Sequence, residues 1–221
     1  ESVLEALSSP PAGKNTIVIV LADHGDGMGS HRMVTKQVSF YEEMTNVPFI
    51  IAGPGIHPRQ KPVEDLLTQP TIDLLPTLCE LAGIPVPSSK PGISLAPFLK
   101  GEKQKRQHPY AASEWHSEYE VTVSPGRMIR SPRYKYTHYL EGNGEELYDM
   151  LKDKGERRNL AHDPKYSKIL AEHRALLDDY IRRTQDDYRS LKVEADKRWR
   201  SHAPGYPNHE GPCARDIINR K

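Results

Sequence analysis

Apolar positions along the chain fall into two regimes. Up to about residue 98 they come in short runs cut by Gly and Pro. Beyond residue 110 they alternate with polar and aromatic residues, then shift to three- and four-residue spacing. Thr16–Leu21 (TIVIVL) is a continuous β-branched run. It predicts a strand buried on both faces, as in a parallel or mixed sheet covered by helices. Val47–Ala52 predicts a second such strand, closed by Gly53-Pro54-Gly55, and Phe40–Met44 a short helical turn between the two. Asp73–Ala82 (DLLPTLCELA) predicts a helix whose Pro76 is tolerated in the first turn and whose C-terminal cap is Gly83. Val3, Leu4 and Leu7 share one face of a helix end before Pro10-Pro11.

The second regime begins after a charged stretch, Gly101–His108 (GEKQKRQH), which reads as a linker. Two regions are therefore expected, residues 1–100 and residues 101–221. In the second, Tyr110–Trp115, Arg127–Ile129 and Tyr134–Tyr139 alternate or carry aromatic β-formers and predict an antiparallel sheet; Glu146–Met150 is a further short apolar segment before the turn Asp153-Lys154-Gly155-Glu156. From Tyr166 to about Val193, apolar residues recur at helical steps and predict a long amphipathic helix. Asp178-Asp179 and Asp186-Asp187 are read as carboxylates on its solvent side, near arginines. The fold class is α/β with a smaller C-terminal α+β region.

Composition narrows the function classes. With 31 basic and 30 acidic residues the net charge is +1, so no global field favours nucleic acid or an anionic membrane. No apolar run approaches the roughly 20 residues that span a bilayer. Mean hydropathy is −0.70, low for a self-sufficient domain of 221 residues; it fits a surface rich in long charged side chains and equally a chain that shares its core with a partner. Cys79 lies in the helical pattern and reads as a packed thiol. Cys213 lies in the basic tail, and their spacing is not that of a metal site.

Candidate chemistry gathers where the first strand ends. Asp23-His24-Gly25 follows Leu21 after a single alanine, and charged groups at the carboxyl end of a buried strand are the usual active-site edge of α/β folds. Asp23 offers hard oxygen donors to a cation such as Ca²⁺ or Mg²⁺, and His24 an imidazole. The plain alternative is a turn cap beside a packed histidine. Thirteen residues on, past Gly25, Gly27 and Gly29, Lys36 presents an ammonium suited to an anion; the alternative is a solvated lysine. His31, between them, suits proton transfer near neutral pH.

The order of these blocks resembles the sulfatase family of the alkaline-phosphatase-like superfamily, in its C-terminal portion. The resemblance rests on Asp23-His24-Gly25, Gly29-Ser30-His31, Lys36, Phe40-Tyr41-Glu42-Glu43, Val47-Pro48 and Gly53-Pro54-Gly55-Ile56. It extends to Ile72–Leu78, Leu81–Ile84, Gly92–Leu95, Arg127–Arg130, Tyr134–Tyr136, Glu146–Asp149 and Asn159–Ala161. It implies part of an alkaline-phosphatase-like mixed sheet flanked by helices over residues 1–100, and an antiparallel sheet and long helix over residues 101–221. It implies that Asp23 and His24 ligate a divalent cation, Ca²⁺ rather than Mg²⁺, and that Lys36 contacts the sulfate group. His31 is assigned to the sulfate or substrate pocket, and His116 by looser analogy.

Sulfatases of this family attack sulfur with a hydrated formylglycine made from a Cys/Ser-x-Pro-x-Arg motif, which this sequence lacks. Cys79 is followed by Glu80-Leu81-Ala82-Gly83, Cys213 by Ala214-Arg215-Asp216-Ile217, and Ser131-Pro132-Arg133 is too short. The resemblance therefore implies that nucleophile, formylglycine and first metal-ligand pair lie on an N-terminal portion of the sulfatase. That portion is the expected partner, without which this chain is inactive. The implied substrate is a sulfate ester on a saccharide or glycosaminoglycan, with no nucleic acid or membrane partner. The other readings are a phosphodiesterase or phosphonate hydrolase of the same superfamily, and a non-catalytic remnant with a binding role. Family habit places such enzymes in the periplasm, secretory compartments or lysosomes. The absence of any Asn-x-Ser/Thr sequon leans to a bacterial periplasm. Specificity is expected in loops such as Trp115–Ser124 and in the tail Arg198–Arg215, with His202, Tyr206 and His209; the plain alternative for the tail is an ordered surface segment.

Overall fold

The computed structural model describes residues 2–7, 12–33, 39–64, 66–88, 91–103, 107–116, 125–140 and 144–191. Lys36, most of the Trp115–Ser124 loop, Cys213 and the tail with His202, Tyr206 and His209 lie outside them. The chain divides into two units, Glu1–His24 with Val47–Ala111, and Gly25–Asn46 with Ala112–Lys221. The later cut thus falls at Ala111–Ala112, just past the charged stretch, and the loop after Asp23-His24 groups with the C-terminal residues.

In the first unit, helix α1 (Ser2–Leu7) precedes strand β1 (Val18–Leu21), which pairs antiparallel with β2 (Phe49–Ala52), Val18 opposite Ala52 and Leu21 opposite Phe49. Expected to be buried on both faces, the strands are not: Val20 and Ile50, opposite each other on one face, are 50% and 58% exposed. A sheet face is buried only where another layer packs on it, and among the described residues this sheet has two strands.

Helix α3 runs Pro70–Leu81, one turn earlier than its apolar pattern suggested, with proline at its start. Pro76 consequently sits in the helix interior rather than the first turn. It has no N–H to offer the carbonyl of Ile72, four residues back. Gly92, at φ +110°, passes against that carbonyl: a Cβ there would lie 2.1 Å from the Ile72 oxygen and 3.2 Å from Pro76 Cγ. Gly83 caps the helix as expected. It has φ +69°, and the Ile84 N–H reaches back to Cys79 O at 2.8 Å, a Schellman arrangement. Asp73, fully buried on this helix, is an acceptor hub. Its carboxylate takes the N–H of Gln69 (2.7 Å), the N–H of Ile93 (2.8 Å) and His108 Nε2 (2.7 Å). Thr77, one turn on, donates to Asp73 O and accepts from Leu95 N, which opens the short helix α4 (Ala96–Leu99).

The second unit holds a four-stranded sheet in order β3-β4-β5-β6, with β3 Ala111–Trp115, β4 Gly126–Arg130, β5 Tyr134–Tyr139 and β6 Gly144–Asp149. The β4–β5 and β5–β6 pairs are antiparallel, matching the predicted sheet. Helix α5 (Ser167–Thr184) buries Leu170, His173 and Leu177, a three- and four-residue stripe. It stops nine residues short of the expected Val193, because Gln185 adopts φ +55°. Asp186 is therefore not a helix-surface carboxylate. It follows the helix end, where it meets Arg127 with Nε–Oδ2 2.6 Å and Nη2–Oδ1 2.9 Å. Asp178 and Asp179 do lie on the exposed face, paired with Arg189, Arg182 and Arg183. The segment Ser39–Thr45, with the short helix α2 (Glu42–Thr45), supplies much of the core. Tyr41 and Met44 pack with Met33, Tyr148 and Met150, and Phe40 packs with Met128 and Tyr139.

Candidate active-site residues

Asp23 and His24 follow β1 at its carboxyl end, as their sequence position required. The Asp23 side chain is 87% exposed and that of His24 42%. Asp23 Oδ1 accepts the His24 backbone N–H at 2.9 Å, the turn-capping contact of the plain reading. Its Oδ2 lies 3.6 Å from His24 Nε2. One carboxylate oxygen and one ring nitrogen, on adjacent residues and this far apart, fit two positions in the ligand set of one divalent ion. Among the described residues no group of three His, Cys, Asp or Glu forms a complete set. The pair thus fits a shared cation as part of its coordination.

The formylglycine precursor is a different case. Cys79 is a free thiol in the last turn of α3, half-buried there. The Ser131 hydroxyl is held by Tyr134 and by His173 Nε2 at 2.9 Å. Neither fits a reactive aldehyde residue, and no catalytic step is assigned to them.

The second unit carries His31 and His116. Backbone strain concentrates around His31: Met28, His31 and Arg32 have φ +44°, +49° and +62°. Left-handed backbone costs a non-glycine residue roughly 1–2 kcal/mol, and such strain gathers where geometry is held for function. The imidazole is stacked on Tyr41, rings parallel to 1° with centroids 3.7 Å apart, and its Nε2 lies 3.8 Å from Glu43 Oε2. Burial pushes its pKa below the ordinary histidine value, partly opposed by the Glu43 charge. The ring is thereby held neutral near pH 7 and able to give or take one proton. His116 follows β3 directly, exposed, within electrostatic reach of Asp186. Asp186 belongs to the clamp on Arg127, whose guanidinium also donates to Trp115 O at 2.8 Å and lies over the Tyr188 ring.

A buried ionic cluster escaped the sequence reading. Lys135 Nζ, 1% exposed near the start of β5, donates to Phe40 O at 2.8 Å. It pairs with Glu42 Oε1 at 2.6 Å and with Glu156 Oε1 at 3.0 Å, where Glu156 is equally buried. Glu156 Oε2 takes the Glu42 N–H at 2.6 Å. These partners are up to 114 positions apart, so no local spacing announced them. The one available signal was a lysine set between tyrosines in a strand.

Residues 29–183 match the family model described as N-sulphoglucosamine sulphohydrolase, C-terminal. The chain belongs to the sulfatase family. Its similarity to a Delta 4,5-hexuronate-2-O-sulfatase of Bacteroides thetaiotaomicron is 76% identity over 221 residues, all of this chain and 46% of that protein. A solved structure of a 2-O GAG sulfatase superposes with TM-score 0.87 at 77% identity, covering 98% of this chain and 47% of the other. The fold is shared more widely. A phosphonate monoester hydrolase from Silicibacter pomeroyi superposes with TM-score 0.72 at 26% identity, over 86% of this chain and 39% of that one. The chain thus spans under half the length of the relatives it matches, and what it matches is the C-terminal portion of a sulfatase.

Proposed function

We propose that this chain forms the cation- and sulfate-holding part of a sulfatase that hydrolyses the 2-O-sulfate of unsaturated hexuronates in glycosaminoglycan fragments. The observation that carries the reading is the 76% identity across all 221 residues to the hexuronate 2-O-sulfatase, a level at which substrate-contacting side chains are commonly kept. Asp23 and His24 are the residues to hold a Ca²⁺ ion; when bound, it supplies positive charge against the sulfate oxygens. Lys36 holds the sulfate by charge. His31, neutral and fixed on Tyr41, binds the sulfate or sugar and can exchange a proton there. His116 reaches the saccharide from the end of β3. The net reaction consumes water, breaks the ester bond and releases the free hydroxyl, sulfate and a proton.

The nucleophile, a formylglycine, belongs to the remaining polypeptide, which is the proposed partner. The apolar side chains of Val20, Ile50, Leu75 and Leu78, each 39–58% exposed in the first unit, are suited to packing against it. An exported, periplasmic enzyme fits the bacterial relatives, and among the described residues no helix is long and apolar enough to cross a membrane.

The test is sulfate release by the complete polypeptide, assayed on a 2-O-sulfated unsaturated disaccharide, its 6-O-sulfated isomer and a phosphonate monoester. Preference for the first supports the reading. Turnover of the phosphonate monoester alone transfers the chain to the phosphonate hydrolase branch.

A further inference from the structure

We propose that Lys135, acting through Glu42 and Glu156, is a positioning residue that fixes the place and orientation of the His31 imidazole. The inference rests on the reading of His31 as a substrate-pocket group. Its geometry is independent of that reading. The His31 ring lies flat on Tyr41, so its plane is set by wherever Tyr41 stands. The peptide on either side of Tyr41 is what the ionic cluster holds. Lys135 Nζ donates to the carbonyl of Phe40 just before it, and Glu156 Oε2 accepts the N–H of Glu42 just after it.

The charges balance locally. Lys135 and Arg130 face Glu42 and Glu156, with Lys135 Nζ contacting both carboxylates and Arg130 Nε 3.9 Å from Glu42 Oε1. A buried pair of this kind contributes little net stability compared with a hydrophobic replacement, and a specific geometry is its best-attested return. Glu156 also sits at φ +49°, where glycine or asparagine would be unstrained. A strained glutamate points to a need for its side chain at that position.

Electrostatics supports the same assignment. The groups acting on His31 are Glu43 from α2, Lys135 from β5, and Asp153 and Arg157 from the turn that carries Glu156. After burial, the carboxylate of Glu43 raises the ring's pKa, and the Lys135 charge lowers it. Removing that charge moves the His31 titration to higher pH.

The experiment uses the complete enzyme in four forms: wild type, His31→Gln, Lys135→Met and the double variant Lys135→Met/Glu156→Gln. The double variant removes both charges and leaves Glu42 with Arg130, so no charge is stranded if the single variant does not fold. Each is measured for kcat and KM against pH, for Tm, and for the His31 ring signal by ¹³C-histidine NMR, assigned from His31→Gln. Lys135→Met and the double variant are expected to lose about tenfold to a hundredfold in kcat, the range for residues that orient others. Their acid limb, the one absent in His31→Gln, and the NMR titration should both move to higher pH. Unchanged kcat, limb and titration in either folded variant overturn the proposal. So does a fall in Tm alone, or failure of both variants to fold, since either makes the cluster a stability element. An inactive wild type would count against the sulfatase reading only, because the NMR titration still reads the positioning of His31.

Discussion

Replacing Asp186 with asparagine keeps the shape of the clamp behind His116 and removes its negative charge. Arg127 is 2% exposed and Asp186 10%, and the two are joined by the 2.6 and 2.9 Å contacts of a forked pair. Removing one partner of a buried pair leaves the other charge uncompensated and costs about 3–5 kcal/mol. Two backbone acceptors, Trp115 O and Gly126 O, and the Tyr188 ring still face the guanidinium, so the lower end, about 3 kcal/mol, is expected. That corresponds to an increase on the order of a hundredfold in the opening of β4, read as hydrogen exchange of the Gly126–Arg130 amides.

The pH dependence has a definite sign. Burial pushes the Asp186 carboxyl up, but the hydrogen bond and charge of Arg127 outweigh it, and the pKa lies below the ordinary aspartate value. A depressed folded-state pKa gives stability that is present above the unfolded pKa, near 4, and lost as pH falls through the folded one. Protection of β4 in the wild type should therefore fall in acid below about pH 4, and Asp186→Asn should flatten that fall. The double variant Arg127→Met/Asp186→Asn should recover most of the loss, since no charge is then stranded. An exchange change under about threefold for Asp186→Asn, or additive losses in the double variant, would refute the clamp.

Other outcomes follow from the first unit and the cation pair. Gly92→Ala places a Cβ 2.1 Å from Ile72 O at φ +110° and should cost about 2–3 kcal/mol, visible as a lowered Tm. His108→Ala removes the 2.7 Å contact to buried Asp73 and should cost about 1.5–3 kcal/mol, seen as faster exchange in the first turns of α3. Asp23→Ala removes a proposed cation ligand whose side chain is 87% exposed. It should abolish measurable Ca²⁺ binding in calorimetric titration while leaving the Tm of the cation-free enzyme within about 1 °C, because exposed positions contribute little to stability.

Local signals carried much of the architecture. β1 and β2 were legible because β-branched runs broken by glycine leave few other readings. Strands β3, β4 and β5 were legible from their aromatic spacing and the C-terminal cap of α3 from Gly83, whereas β6 read only as a short apolar segment. What failed depended on contacts distant in sequence or on single backbone torsions. Pro76 stands inside α3 because Gly92, sixteen positions later, packs against the carbonyl it orphans. Asp186 looked like a helix carboxylate because nothing in the residues around Gln185 announces its φ of +55°. The exposed face of β1 and β2 could not be inferred from composition, which reports that a residue is apolar and not whether a layer covers it. At the candidate site, the placement of Asp23 and His24 just after β1 was legible from the sequence, whereas the support beneath His31 was not. Lys135, Glu42 and Glu156 meet only after the chain has folded, and a lysine or glutamate in isolation reads as solvated surface.

The central claim is that Asp23 and His24 supply cation ligands to a sulfate-ester hydrolase. It is tested most directly by sulfate release from a 2-O-sulfated unsaturated disaccharide. The complete enzyme and its Asp23→Ala variant are assayed after chelation and again with Ca²⁺ restored. Chelation should silence the wild type, Ca²⁺ should restore it, and Asp23→Ala should stay at least about a hundredfold below it at any Ca²⁺ concentration tested. Wild-type rates in Asp23→Ala, or full activity of the wild type without a divalent ion, would contradict the claim.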